Sequence, residues 1–408
     1  MAPREIVIIG GGIIGCTTAY YLTRHPSASA AALKVTLIEA SANGPAQGAS
    51  GKAGGLVARW AYPKEIVDVS FEEHVRLAEE HNGQDRWGWR YVKCGSWEGR
   101  GEELVPPEKG GVHGNKSLEK ELGLPGGQKP TRKSRRSRNA EGLPEDLLWV
   151  KEELTDSYTS MAKDGNTAQV HPYLFTTSMF ELAKERGLNY LNGKVTKILT
   201  KDGSVSGVEY TDPATHQTHT ISATAVLLAA GAWSPSIISD LPITATRAHS
   251  ITIRPKEGVT IAPYVLFTEI EDPVTSTRSS PEIYARPDNE VYACGPGDDE
   301  PLPPTVDEVV VDQASCDLIH SHVSSISEQL REGTVEKRQA CYLPTVSIGG
   351  GPIIGEARSI AKGLYIGTGH TCWGISNGPG TARALTELIM DGKVKCANLK
   401  KLDPSNFL

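Results

Sequence analysis

Apolar residues fall along this chain in two alternating rhythms. Ile6 to Ile9 is an unbroken apolar run, the pattern of a parallel strand covered on both faces. The same signature returns in A-T-A-V-L-L-A-A-G-A-W-S from Ala223 to Ser234, while Lys34 to Ile38, ending at Glu39, and Gly363 to Gly369 read as further strands. A 3.6-residue period marks Ile14 to Arg24 and Phe71 to Asn82, the latter with Val75, Leu77 and Ala78 inward and its glutamates outward. It marks Leu174 to Arg186 as well, opened by Pro172 and stopped by Gly187. Gly380 to Asp391 is a last helix, with Ala382, Leu385, Leu388 and Ile389 on one face, and Val306 to Arg331 is helical in large part.

Between these stretches lie half-buried strands. Arg90 to Gly95 is one; Tyr190 to Leu199, Gly207 to Thr211 and Thr218 to Ser222 form a three-strand meander. Ala245 to Arg254, Tyr264 to Thr268, Glu282 to Arg286 and Val291 to Gly295 form an antiparallel set. Parallel strands at both ends with antiparallel ones between them predict an α/β fold, a Rossmann-like domain interrupted by an antiparallel-sheet α+β domain. The first takes residues 1–90, 165–245 and 345–408; the second takes 91–97, 146–164 and 246–344. Residues 98–145 are rich in Gly, Pro, Lys and Glu and bury too little to offset ordering entropy, so a flexible excursion is expected. Within it, 129–138 (K-P-T-R-K-S-R-R-S-R) packs six basic residues into ten. Nuclear targeting or a protein or anionic partner competes there with a solvated basic loop, and the lack of aromatic company favours the loop.

Composition narrows the class. The 408 residues carry a formal charge of −7 with 22% charged side chains, which gives no reason to expect a nucleic-acid partner. No apolar run approaches the roughly 18 residues of a membrane span, so no integral membrane segment is expected. The first strand starts by Glu5, leaving no room for a cleaved signal peptide, and the C-terminal S-N-F-L is not a peroxisomal signal. Seven scattered cysteines with no C-x-x-C read as free thiols rather than a zinc site, and the cytoplasm is the expected compartment.

The chemistry concentrates at Arg4 to Gly15, R-E-I-V-I-I-G-G-G-I-I-G. Gly10, Gly12 and Gly15 supply G-x-G-x-x-G where the first strand turns into a helix. The first allows the tight turn, the second lets backbone approach a pyrophosphate, and the third lets helix and strand pack closely. Glu39, ending the second strand, is placed to accept hydrogen bonds from a ribose 2′-OH. Together they predict an adenine dinucleotide site; a glycine turn without ligand is the bland alternative. Gly48 to Gly55 (G-A-S-G-K-A-G-G) reads as backbone lying against a ligand, or else as a flexible loop. Ile348 to Gly355 (I-G-G-G-P-I-I-G) echoes the fingerprint but carries Pro352 and is read as a turn, so a second nucleotide is not expected.

These pieces, with Val195, A-A-G-A-W-S and Gly367-x-Gly369-His370 leading to G-P-G at Gly378 to Gly380, resemble the D-amino acid oxidase family of FAD oxidoreductases. That family, of the glutathione-reductase type, includes glycine oxidase and sarcosine oxidase, and the likeness spans residues 4 to 390 apart from the 98–145 excursion. Cys341 to Pro344 and G-H-T-C-W-G from Gly369 to Gly374 are most similar to a fungal group of oxidoreductases, one yeast member of which is associated with endosome-to-Golgi recycling. The resemblance implies FAD. It assigns Gly10, Gly12, Ile13, Ile14 and Gly15 to the pyrophosphate, Glu39 and Ala40 to the adenosine ribose, and the Val195 backbone to adenine. It gives Ser50, Gly51, Lys52, Ala53, Gly54, Gly55 and Leu56 to the flavin, and extends cofactor contact to Ala230, Gly231, Trp233, Gly369, His370, Trp373, Gly374, Ile375 and Ser376. The last helix, entered around Asn377 to Gly380, is then expected to aim its positive dipole end at the flavin.

The implied reaction is oxidation of a C–N bond in an amino acid, secondary amine or derivative, with O2 as acceptor and hydrogen peroxide as product. His370, Trp373, Arg247 and Tyr284 are the candidate catalytic residues. Where glycine-oxidase-like members carry an arginine for the substrate carboxylate, this chain has Leu343. Lys52, Arg59, Arg247 and Arg286 are the replacement cations to weigh, each also readable as a surface or ribose-side charge. Trp60, Tyr284, Tyr342, His370 and Trp373 are candidate pocket walls, with core packing as the alternative. Cys341 lies near the place where sarcosine oxidase relatives bond FAD covalently; a buried free thiol is the favoured reading. An NAD-linked dehydrogenase and an FAD protein with a partner-binding role in membrane trafficking are the competing functions.

Overall fold

The computed structural model describes residues 4–28, 33–104 and 142–408. A six-stranded sheet runs in the order Ile353–Glu356, Leu364–Thr368, Ala225–Leu228, Arg4–Ile9, Leu33–Glu39 and Asn189–Asn192. All neighbours are parallel except the edge strand Ile353–Glu356, which is antiparallel to Leu364–Thr368. The unbroken apolar runs are explained by two cores. Ile6, Ile8, Val35, Leu37 and Leu227 join one with the helices Ile13–Arg24, Pro172–Lys184 and Gly374–Asp391. Val7, Ile9, Ile38, Val226 and Leu228 join the other, beneath the meander Lys194–Lys201, Ser204–Thr211, Thr218–Ser222. Each buried Ile or Leu contributes about 1.5–3 kcal/mol, so both faces hold the sheet.

The expected strand Tyr190 to Leu199 divides at Gly193. Asn189–Asn192 stays in the parallel sheet, while Lys194 opens the meander. A Cβ at Gly193 would lie 2.4 Å from the Tyr210 ring, and its N–H donates to the Glu39 carbonyl at 2.8 Å. The last helix begins at Gly374 rather than Gly380 and contains Pro379. Proline cannot donate to the Ile375 carbonyl one turn back, and His74 Nε2 takes that place at 2.9 Å. Gly378 and Gly380 permit close packing on Ile13 and Ser70, which their Cβ atoms would meet at 2.6 and 2.2 Å. The helix Val67–His81 supplies both His74 and Ser70; against expectation, its Glu73 is buried, accepting from Tyr21 at 2.5 Å and pairing with Arg76 and Arg383.

The second large sheet orders Thr334–Val346, Ile243–Arg254, Val291–Asp298, Glu282–Ala285, Tyr264–Glu271, Lys93–Arg100 and Thr155–Ser160, with Arg278–Ser279 beside Tyr264–Glu271. It is mixed, because Tyr264–Glu271 and Lys93–Arg100 pair in parallel. Ile251, Ile253, Ile283, Ala285, Val291 and Ala293 turn one face toward the helix Gln313–Ser324. The strand expected to end at Gly95 continues to Arg100, so the start of the supposed excursion is sheet, and Glu102 is held by Lys151 and Arg331, each at 2.6 Å. The basic run 129–138 lies outside the described residues. Three short strands, Leu56–Ala58, Thr167–Gln169 and Arg90–Tyr91, make a small third sheet. Of the stretch Ile348 to Gly355 read as a turn, Ile348 to Pro352 is one, with Gly349, Gly350 and Gly351 at φ of 80°, 75° and 78°, whereas Ile353 to Gly355 belong to the edge strand Ile353–Glu356. Among the described residues, no helix is long and apolar enough to cross a membrane.

Candidate functional site

The carboxyl edge of the parallel sheet and one face of the mixed sheet enclose a cavity of about 230 Å³, counted as space open to the centre of a water molecule. Ile9, Ile38, Ala229 and Thr368, at or just past the ends of four adjacent strands, open onto it, where ligands bind in open α/β sheets.

At one end the glycine turn works as the spacing requires. Gly10 has φ of +106°, and its Cβ would stand 2.5 Å from the Ala229 carbonyl oxygen. Gly15 presses the first helix onto the turn; a Cβ there would lie 2.0 Å from the Gly10 oxygen. Ile13 N–H donates to Ser50 Oγ at 2.9 Å, which sets that hydroxyl at the helix entrance beside Gly12. Glu39 accepts from Gly11 N–H at 2.6 Å and Ser41 N–H at 2.8 Å. Burial raises its carboxyl above the usual range, and those backbone donors partly offset the effect. Lys194 and Val195 line this end, which sequence reading reached only through Val195. Across the cavity runs the segment 301–307. It is tied by Trp233 Nε1 to the Pro303 carbonyl at 2.8 Å, by Tyr342 OH to the Pro301 carbonyl at 2.8 Å, and by Asp307 accepting from Ser41 Oγ at 2.5 Å and Ala42 N–H at 2.8 Å.

Of the residues singled out from sequence, Gly10, Gly12, Ile13, Ile14, Glu39, Ala40, Ser50, Ala53, Gly54, Val195, Ala230, Gly231, Trp233, Tyr284, Cys341, His370, Gly374 and Ile375 line the cavity. Gly15, Gly51, Lys52, Gly55, Leu56, Arg247, Gly369, Trp373 and Ser376 stand behind it or away from it. Their reasons differ. Gly51 and Gly55 allow backbone contacts within the protein, since their Cβ atoms would meet the Ala46 and Val170 carbonyl oxygens at 1.9 and 2.0 Å. Gly369, at φ of +80°, abuts Val346, and Ser376 Oγ accepts from Ala58 N–H at 3.2 Å. Trp373 packs edge-on against Trp60 and Tyr62, behind the wall that Tyr284 forms.

The mixed sheet offers its other face. Alternation along a strand sends Glu282, Tyr284, Tyr292 and Cys294 to the cavity while Ile283, Val291 and Ala293 enter the core. In the same way Ala248 faces the cavity, so its neighbour Arg247 points to the far side. There Arg247 forms a two-pronged pair with Asp298 at 2.9 and 3.0 Å. The other replacement cations are engaged too. Lys52 Nζ donates to the Ala340 carbonyl at 3.0 Å, Arg59 lies 3.7 Å from Glu72, and Arg286 pairs with Glu290 at 2.9 Å. Leu343 lines the cavity in the place expected for a carboxylate-binding arginine. Glu282, Tyr292, Cys294 and Ala248 were not anticipated as site residues. The alternation in their strands was visible, but not which face would meet the nucleotide end.

His370 is buried, and desolvation lowers its pKa to about 3; its Nε2 lies 3.0 Å from Thr381 Oγ1. It is therefore neutral near pH 7. Burial pushes the Cys341 thiol up to about 11. Among the described residues, no group of three or more His, Cys, Asp or Glu side chains is placed to hold a metal.

The residues fit an FAD. Glycine backbone without room for a Cβ, Ser50 at one helix entrance, Glu39 at the end of the second strand and Gly374–Ile375 at a second helix entrance all face one elongated cavity. The family model for FAD dependent oxidoreductase (DAO) matches residues 5–388. The chain is 32% identical to TDA3, a presumptive oxidoreductase of Saccharomyces cerevisiae, over 99% of this chain and 95% of that protein. It is 33% identical to a Schizosaccharomyces pombe protein of the same description, over 99% of both. Its fold is similar to iminodiacetate oxidase from Chelativorans (TM-score 0.67, 20% identity, 98% of each chain). Glycine oxidase from Geobacillus kaustophilus is similar too (TM-score 0.70, 16% identity, 99% and 98% of the two chains). The chain belongs to the DAO family of FAD-dependent oxidoreductases.

Proposed function

We propose that this enzyme oxidises the C–N bond of an amine or amino-acid-like substrate and passes the electrons to O2, forming hydrogen peroxide. One observation carries the reading: a single cavity joins the glycine-lined nucleotide end to a compartment of side chains on the mixed sheet. Solved structures of similar fold include oxidases of iminodiacetate and glycine, which supports a nitrogen-bearing substrate. On this reading residues 1–90, 165–245 and 345–408 serve the cofactor, and 91–97, 146–164 and 246–344 serve the substrate.

Bound FAD supplies the hydride acceptor. Gly12, Ile13 and Ser50 hold its pyrophosphate, Glu39 its ribose hydroxyls, and Val195 its adenine. Ala53, Gly54, Gly374 and Ile375 border the flavin, where the helix entrance at Gly374 favours negative charge. Tyr284, Tyr292, Cys341 and Leu343 keep water from the reacting carbon. His370, neutral and bonded to Thr381, shapes the wall and carries no charge to the reaction. FAD is held without a bond to Cys341, because a thiol raised to about 11 yields little of the thiolate that attachment needs.

The test is anaerobic mixing of the yellow protein with a panel of secondary amines and amino acids. Bleaching of the flavin and recovery of colour with peroxide on admitting air are expected, with all flavin released on acid precipitation. A flavin that no member bleaches would overturn the assignment.

A further inference from the structure

The compartment on the mixed sheet is lined by an acid where a carboxylate-binding pocket presents a cation. None of the four cations weighed for the missing arginine lines it: Lys52, Arg59 and Arg247 are bonded elsewhere, and Arg286, paired with Glu290, stands beside it with its guanidinium 4.6 Å from the Tyr292 ring centroid. Lys194, the one cation among the described lining residues, sits at the distant Glu39 end. Next to Tyr284, Tyr292 and Cys294 stands instead an acid, Glu282, 6% exposed. Its Oε2 accepts from Tyr284 OH at 2.5 Å and lies 3.8 Å from Cys294 Sγ. Its Oε1 is buried and has no hydrogen-bond partner.

A buried carboxyl oxygen without a donor costs about 1–3 kcal/mol, so its retention in a wall of the cavity calls for a ligand that donates. A substrate carboxylate brought here would lose its hydration beside another acid, and the nearby Arg286 is already paired with Glu290 at 2.9 Å. An N–H group would gain a hydrogen bond and the electron-rich ring of Tyr284, which stands 5.5 Å from Tyr292, the ring that Arg286 covers. Building on the C–N oxidation proposed above, we infer that Glu282 is the polar anchor for substrate, and that it takes the N–H face of an amine carrying no carboxylate. Burial raises the Glu282 carboxyl above its usual range, and an entering ammonium would lower it again.

The experiment is calorimetric titration of the FAD-loaded protein with tert-butylamine and with pivalate. The two have one shape and opposite charge, and neither carries hydrogen on the carbon next to its charged group, so neither is oxidised at that carbon. Binding of tert-butylamine is expected, weakened at least about tenfold in E282Q, with pivalate binding no more tightly to wild type than to E282Q. Should E282Q lose its flavin, Tyr284→Phe provides the second arm: it keeps the acid, removes its hydrogen bond and is expected to retain amine binding. The inference is overturned by pivalate outbinding tert-butylamine on wild type, by unchanged amine affinity in E282Q, or by no binding of either compound. Glu282-dependent amine binding together with a flavin that no oxidisable amine bleaches would sink the C–N reaction and leave the anchor standing.

Discussion

The two large sheets meet the cavity in opposite ways. The parallel sheet offers an edge: its strands end in turns, and what faces the ligand is largely backbone, with Gly10, Gly12 and Ala229 leaving peptide groups bare. The mixed sheet offers a face, and what meets the ligand there is side chains, Glu282, Tyr284, Tyr292 and Cys341. Backbone recognition is shared by every chain with the same glycines, whereas a sheet face changes its chemistry with each substitution. On the function proposed above, the first region would serve the cofactor and the second the substrate.

The comparison can be broken at its backbone half with the largest effect. Gly15→Val puts a Cβ 2.0 Å from the Gly10 oxygen, a clash that no rotamer relieves. A stability loss beyond about 3 kcal/mol and loss of bound FAD are expected, read from denaturant unfolding and flavin content. Retained colour would show that the turn tolerates side chains after all.

Acid probes the same half more gently. His74, which replaces the hydrogen bond Pro379 cannot make, and His370 are buried, and desolvation lowers them to about 4 and about 3. Their folded values lie below the unfolded value near 6.5, so the stability they allow is complete above about pH 6.5 and is lost as pH falls toward 4. The unfolding midpoint should drop steeply over that window, and His370→Gln should flatten part of the slope.

The smallest effect belongs to the far face of the mixed sheet. Arg247→Met removes the partner of Asp298, expected to cost about 1–3 kcal/mol of stability while leaving the half-saturating amine concentration unchanged. A shift in half-saturation without a shift in stability would place Arg247 on the cavity side and undo the two-face description.

The backbone half was legible in the sequence because its requirements are local. A strand buried on both faces, three glycines at fixed spacing and an acid at the end of the next strand need no knowledge of distant contacts. Gly51 and Gly55 show the limit: a glycine near a ligand and a glycine near the Ala46 or Val170 carbonyl look alike in one dimension. The entry of the last helix was expected around Asn377 to Gly380, whereas the helix begins at Gly374 and runs through Pro379. Only the fold shows His74 satisfying the carbonyl that Pro379 orphans. Arg247 and Glu282 posed the harder problem. Period 2 separates the two faces of a strand but does not say which one meets the nucleotide, so the cation was assigned to the pocket and the acid was passed over.

The segment 301–307 lies across the cavity like a strap fastened at Trp233, Tyr342 and Ser41. On the FAD reading proposed above, opening these fastenings would be a step of cofactor exchange that substrate turnover does not need.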